Sequence, residues 1–307
     1  MKRHFDIIGA PFNQLGFVTT QENTVDGLRR LDEMSWVGLT DWIQVRNDRW
    51  GADIIDRGDV EISDEVHSLI SSGSKDEALR VYAHDLKIKV LESYTNNRLP
   101  ITIGGDHSIA VGTVQAALSH YQKDKDKKIA IVWVDAHADC NNTLDSNLHG
   151  KPLALLMNQY AHNGWSIPSE IALQPQNVFY VGVRDLMQCE HQLIKKLNMT
   201  NIDMMCIEQQ GFNVVVRTLL EKLENEYDGI YLSFDYDALD GSLFRACATP
   251  NVGGLTARES LYLVHSIASS DKFIGAEFVE YMPERDTNGV SKELMVKLID
   301  AALGFKS

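Results

Sequence analysis

The sequence predicts an α/β protein: a three-layer α/β/α sandwich around a central, mainly parallel, doubly wound sheet. Three observations carry that expectation. Short runs such as "IAIVWV" and "FIGAEFV" are apolar at nearly every position, which marks strands covered on both faces. Segments with helical spacing separate these runs from one end of the chain to the other. No Gly/Ser/Pro linker, internal repeat or low-complexity tract divides the sequence, so residues 1–307 read as one domain.

The elements follow in order. Phe5–Gly9 is the first predicted strand, ended by Pro11. The spacing predicts a helix over Lys75–Tyr94, and Leu99–Ile103 is the next strand. A helix over Ile109–Tyr121 leads into the charged stretch "QKDKDKK" (Gln122–Lys128), a solvated loop. Ile129–Val134 and Val178–Val183 are strands, and Glu190–Leu197 and Val214–Glu226 are helices. Ile230–Phe234 is a strand. Thr256 and Glu259, three residues apart, form a capping box that starts a helix over Thr256–Ser269. Phe273–Val279 is the last strand, and a helix near Lys292–Leu303 follows it.

Composition excludes several classes of function. The 44% hydrophobic content supplies a core, and 23% charged residues fit a globular chain. The formal net charge of −14 would repel nucleic acid and anionic membrane surfaces. Cys140, Cys189, Cys206 and Cys247 are widely spaced and form no CxxC pair, so they read as free thiols of a reducing compartment. The apolar run near the start is broken by Asp6, Gly9 and Pro11, and no stretch of 18 apolar residues occurs. The expectation is a cytoplasmic protein with neither a membrane nor a nucleic-acid partner. Nucleotide loops (GxGxxG, GxxxxGK[ST]) and the GxSxG nucleophile elbow are absent.

In a doubly wound sheet the working site lies beyond the C-terminal strand ends. Leu99–Ile103 runs into "GGDHS", giving His107. Ile129–Val134 runs into "DAHADC", giving Asp135, His137 and Asp139. Ile230–Phe234 runs into "DYDALD", giving Asp235 and Asp237 with Asp240 just beyond. Phe273–Val279 ends at Glu280. Each group alone could cap a turn. Together they assemble two imidazoles and four carboxylates, more charge than one ion would neutralise. Two divalent ions sharing bridging carboxylates would use all six ligands. Such an oxygen-rich set suits Mn²⁺ better than structural zinc. A pair of ions about 3.5–4 Å apart can hold a hydroxide, a strong nucleophile at neutral pH.

These residues resemble the ureohydrolase superfamily, and most closely its arginases. The resemblance runs from "GAPF" to "EFVEYMP" and includes "GGDHS", "DAHAD", "NLHGKP", "SFDYDALD" and "ATPNVGGLTARES". It implies two Mn²⁺ ions per chain and hydrolysis of a guanidino carbon with release of urea, L-arginine to L-ornithine first. By position, His107, Asp135, Asp139 and Asp235 would hold one ion, and Asp135, His137, Asp235 and Asp237 the other. Asp139 would also accept a hydrogen bond from the hydroxide and aim it. His149 would shuttle a proton to the leaving amine, Glu280 would pair with the guanidinium, and Thr249 would line the far side of the substrate. The resemblance further implies a homo-oligomer, a trimer or hexamer.

Four positions depart from the arginase pattern. Asp240 is followed by Gly241 instead of proline, and Arg245 replaces a second proline, which predicts a reshaped loop with added charge beside the pocket mouth. Met187 stands where an acid usually reads the substrate's α-amino group. Asp145 stands where a serine usually reads the α-carboxylate, in a shortened loop between Asp139 and His149. Asn141 and Glu190 remain as candidate contacts for the carboxylate and the amino group. Agmatine, a guanidino acid or a formimidoyl amino acid are therefore alternative substrates, and a non-catalytic metal-binding protein is an alternative of another class.

Overall fold

A computed structural model of the chain describes residues 3–19, 23–31, 36–160, 162 and 164–306. Among these residues the strands are β1 (Phe5–Ala10), β2 (Ile54–Asp59), β3 (Leu99–Gly104), β4 (Ile129–Val134), β5 (Val178–Val181), β6 (Thr200–Ile202), β7 (Gly229–Asp235) and β8 (Phe273–Val279). They form one sheet in the order β2-β1-β3-β8-β7-β4-β5-β6, with every neighbouring pair parallel. The six strands expected from sequence are all present. The two further ones, β2 and β6, are the sheet's edges.

Alternation along each strand divides the core into two. Ile101, Val132, Leu232 and Phe278 face one side, where helices Leu39–Trp50, Phe212–Glu226, Ala257–Ala268 and Val290–Ala302 pack. Ile8, Ile131, Trp133 and Tyr231 face the other, against helices Lys75–Thr95, Ala110–Ala117, Pro152–Leu156 and Gln188–Leu197. This is the predicted α/β/α sandwich. Strands buried on both faces have no polar side to show, which is why they read as unbroken apolar runs.

Helix boundaries moved little, but one expected helix divides. The segment read as Ile109–Tyr121 is a 3₁₀ turn (His107–Ile109), an α-helix (Ala110–Ala117) and a π-helical turn (Leu118–Lys123). Thr256 caps its helix as expected, its side chain accepting from the Glu259 N–H.

The topology sets the location of the site. Between β3 and β4 the chain passes over the places later filled by β8 and β7, so β3, β8, β7 and β4 are contiguous at the centre. Their C-terminal ends carry "GGDHS", Glu280, "DYD" and "DAHAD" respectively. Four ligand-bearing segments far apart in sequence thus open into one crevice. Gly105 permits the first of them: a Cβ there would lie 1.8 Å from the Phe12 carbonyl oxygen.

Candidate metal centre

The alternate spacing of the acids has a local cause. Asp135 Oδ1 accepts the His137 N–H at 2.7 Å, and Asp235 Oδ1 accepts the Asp237 N–H at 2.7 Å. Each aspartate thereby turns the chain at the end of its strand, so that side chains two residues apart share the crevice. Asp106 does the same for β3: its Oδ1 accepts the Ser108 N–H at 3.0 Å, while Oδ2 accepts the Leu15 N–H at 2.9 Å. Asp106 is thus a capping residue that presents His107, a role unassigned from sequence.

Three carboxylates surround one imidazole. His107 Nδ1 lies 3.2 Å from Asp135 Oδ2, 3.1 Å from Asp139 Oδ2 and 3.0 Å from Asp235 Oδ2. Yet this buried nitrogen has no hydrogen-bond partner, because none of the three oxygens meets it at hydrogen-bonding angles. His137 Nδ1 lies 3.1 Å from Asp237 Oδ2 and 3.5 Å from Asp135 Oδ1. Donor atoms of His107, Asp135 and Asp139 fall within 4.8 Å of one another, as do those of Asp135, His137 and Asp237, and Asp135 belongs to both groups. An orphaned imidazole nitrogen facing carboxylate oxygens, and an aspartate common to two such groups, fit a cluster of divalent cations.

The supports of these ligands come from inside the sheet. His107 Nε2 meets Ser233 Oγ at 2.8 Å, and its ring stacks on Trp133 at 4.0 Å and 6°. The Trp133 indole N–H donates to Asp135 Oδ2 at 3.0 Å. Trp133 and Asp135 are two residues apart on β4 and its extension, and that i, i+2 relation was the one available sequence signal. Thr249 lines the cavity, and its hydroxyl donates to Asp237 Oδ2 at 2.9 Å.

Two of the acids sit in backbone that side chains rarely adopt. Asp139 has φ of 48° and Glu280 has φ of 64°. Such left-handed residues cost of order 1–3 kcal/mol and concentrate at functional sites. The Glu280 N–H donates to the Gly105 carbonyl at 2.8 Å, and Oε1 accepts the His107 N–H at 2.9 Å. The same oxygen lies 3.3 Å from His149 Nδ1.

The electrostatics are those of a crowded anionic site. Burial alone would lower His107 and His137, but the surrounding acids hold both imidazoles protonated well above their ordinary range. Burial, then like charge from neighbouring acids, raises Asp139, Asp235 and Asp237. Asp135 goes the other way: burial opposes its charge, but His107 and His137 together hold it well below the usual range. His149 is raised to about 9, against burial, by its hydrogen bond and charge interaction with Glu280. Glu280 is correspondingly lowered, again against burial. Every deficit here is one of positive charge.

A cavity of about 530 Å³ opens above the cluster. Its walls include Asn141, Asp145, His149, Met187, Glu190, Thr249 and Glu280, which share the space with His137, Asp139, Asp235 and Asp237, while His107 and Asp135 are buried and not part of its lining. Glu190 is 5% exposed, and burial raises it to about 7. Its oxygens accept the backbone N–H groups of Cys140 and Met187 at 3.2 and 3.0 Å, joining two loops of the rim. Asp240, expected beside the ligands, instead caps its own loop, accepting from the Ser242 and Gly253 N–H groups. Arg245, expected to add charge beside the mouth, is exposed. Its guanidinium donates to the Gly241 carbonyl at 2.8 Å, and it is not among the residues lining the cavity. The two departures from the proline pattern satisfy each other.

A parallel α/β/α sheet thus brings imidazoles and carboxylates from four central strand ends to one site able to hold metal. The model of the arginase family matches residues 3–304, and the chain belongs to that family of C–N hydrolases of the ureohydrolase type. It is 33% identical to an arginase of Staphylococcus aureus (strain MRSA252) over 262 residues, 82% of this chain and 84% of the relative. The crystal structure of arginase from Bacillus cereus superposes with a TM-score of 0.84 at 27% identity, covering 100% of both chains. Formimidoylglutamase from Bacillus subtilis shares the fold, with a TM-score of 0.76 at 21% identity over 99% of this chain and 87% of that one. Among the described residues, no helix is long and apolar enough to cross a membrane.

Proposed function

We propose that this chain cleaves the guanidino carbon–nitrogen bond of a small substrate and releases urea, using two Mn²⁺ ions. His107, Asp135, Asp139 and Asp235 would hold one ion, and Asp135, His137, Asp235 and Asp237 the other. The observation that carries the reading is Asp135, common to two ligand groups, beside a buried His107 Nδ1 that no hydrogen bond satisfies. When bound, such a pair of ions acidifies water and stabilises developing negative charge.

The remaining work falls to the chain's own groups. Glu280, held below the usual carboxyl range, is the planar anionic partner for a guanidinium. Asp139, buried and fixed in left-handed backbone, orients the attacking water. His149, raised to about 9 beside Glu280, carries a proton at neutral pH and delivers it to the departing amine. Asn141, Asp145, Glu190 and Thr249 shape the rest of the cavity. A cytoplasmic location and assembly into trimers or hexamers belong to the same proposal.

L-arginine is the first substrate to test, because the relatives are named arginases. The far end of the cavity favours a narrower class. The Mn²⁺-loaded protein would be assayed for urea with L-arginine, agmatine and 4-guanidinobutyrate, and for formamide with formimidoylglutamate. Urea from a guanidino compound supports the reading. Formamide alone, or no product with metals bound, would overturn it.

A further inference from the structure

The outer part of the cavity is rich in carboxylates, and the cation that meets them is the His137 imidazole, 3.9 Å from Asp185 Oδ2. Asp145 and Asp185 line it with Phe17, Asn141, Met187 and Glu190, and no lysine or arginine is among the described lining residues. Two nearby cations are turned away from it. Lys151 is fully buried, its ammonium donating to the Thr143 carbonyl and lying 4.7 Å from the centre of the Tyr160 ring. Arg184 spends its guanidinium on backbone carbonyls, among them those of Asp237, Leu239 and Asn251.

The neutral groups there are also engaged. Asn141 Oδ1 accepts both the N–H and the hydroxyl of Thr143, and its Nδ2 donates to Met187 Sδ at 3.0 Å. Glu190 is committed to two backbone N–H groups. Asp145, by contrast, is exposed at the rim. Phe17 and Met187, 73% and 58% exposed, offer apolar surface to a methylene chain. Asp185 is engaged as well, accepting from Asn251 Nδ2 at 2.8 Å beside His137, so an incoming carboxylate would meet like charge with few free donors, whereas an ammonium would meet Asp145.

We infer that the pocket takes ω-guanidinoalkylamines, whose far end is a cation, in preference to guanidino compounds that end in a carboxylate. Asp145 is the residue that sets the preference. The inference rests on the guanidino-hydrolase reading of the same site.

The test measures kcat/KM for urea release from agmatine, L-arginine and 4-guanidinobutyrate with the Mn²⁺-loaded protein. The expected order is agmatine, then L-arginine, then 4-guanidinobutyrate. At least about tenfold should separate first from last, as a like-charge contact of a few ångströms at a half-exposed rim would give. Asp145→Asn and Asp145→Ser should each narrow that ratio, chiefly through KM, and added salt should narrow it in the unmodified protein. L-arginine or 4-guanidinobutyrate equal to or better than agmatine overturns the inference. A ratio unchanged in both variants overturns the role of Asp145. Urea from none of the three, with metals bound, overturns the underlying hydrolase reading instead.

Discussion

His107 Nε2 lies 2.8 Å from Ser233 Oγ, a residue on β7 that the sequence shows only as part of an apolar run. Ser233 is in turn the register partner of Glu277 on β8, a fully buried carboxylate that also accepts from the Thr113 hydroxyl. This chain of contacts fixes the orientation of the His107 ring, so that loss of the Nδ1 proton on ligation would turn that nitrogen's lone pair to a metal. Outer partners of ligating histidines are typically worth about 10–100-fold in metal affinity. Ser233→Ala should therefore weaken one of two bound ions by about that factor and leave the His137 group intact. A Mn²⁺ titration followed by electron paramagnetic resonance reads this directly. Equal weakening of both ions would contradict it.

Metal loading should release protons. Without metal, His107 and His137 are held protonated far above their ordinary range, and Asp235 and Asp237 are raised as well. Ligation must expel those protons, so affinity rises with pH. The same raised groups bind more protons folded than unfolded. The histidine contribution to stability is complete below about pH 6.5 and is lost as pH climbs towards the folded values. Asp135 and Glu280, held low, act in the opposite sense and only in acid, as pH falls below the unfolded carboxyl range. Mn²⁺ should therefore raise Tm more at pH 8.5 than at pH 6.5. A thermal shift that is constant, or larger at the lower pH, would count against the ligand assignment.

Asp139→Asn should separate charge from shape. Asparagine tolerates left-handed backbone better than most residues, so the φ of 48° at this position is no obstacle to folding. What is lost is the anion that orients water. A loss of about 3 kcal/mol corresponds to roughly two powers of ten in kcat. Turnover equal to that of the unmodified protein, with metals retained, would remove Asp139 from the proposed role.

Met187→Asp should restore an acid on the rim. Met187 is the N-cap residue of the helix Gln188–Leu197; its N–H donates to Glu190, and its thioether, a weak acceptor, takes the Asn141 amide N–H. A charge-assisted hydrogen bond to a substrate ammonium would raise kcat/KM by about ten- to a hundredfold for L-arginine and agmatine. 4-Guanidinobutyrate, which has no ammonium, should gain nothing. Equal gains for all three would place the amino group elsewhere.

The central strands and the ligands on them were legible because both obey local rules. A strand covered on both faces is apolar throughout, and an aspartate that accepts the N–H two residues on produces the D-x-H and D-x-D spacing. The edges obey neither rule. β2 reads "IIDRGD" with one buried residue, and β6 has three residues, all partly exposed. The helix Leu39–Trp50 was missed because its buried face includes Arg46, made tolerable there by an ion pair with Asp300 near the other end of the chain. Ser233, Glu277 and Trp133 looked like strand filler, since their link to His107 exists only once β3, β7, β8 and β4 lie side by side. Glu190 was read as a contact for the amino group because Met187 is no usual capping-box partner and the Cys140 N–H that it also accepts lies on a distant loop.

The most direct test of the account counts metal against activity. Purified protein would be stripped, titrated with Mn²⁺, and assayed at each point for bound ions per chain and for urea release from the best guanidino substrate. Six ligands with Asp135 common to two groups predict that activity saturates at two bound ions per chain, and that Asp135→Ala loses both. Full activity with one ion per chain, or with none, would contradict the two-ion site.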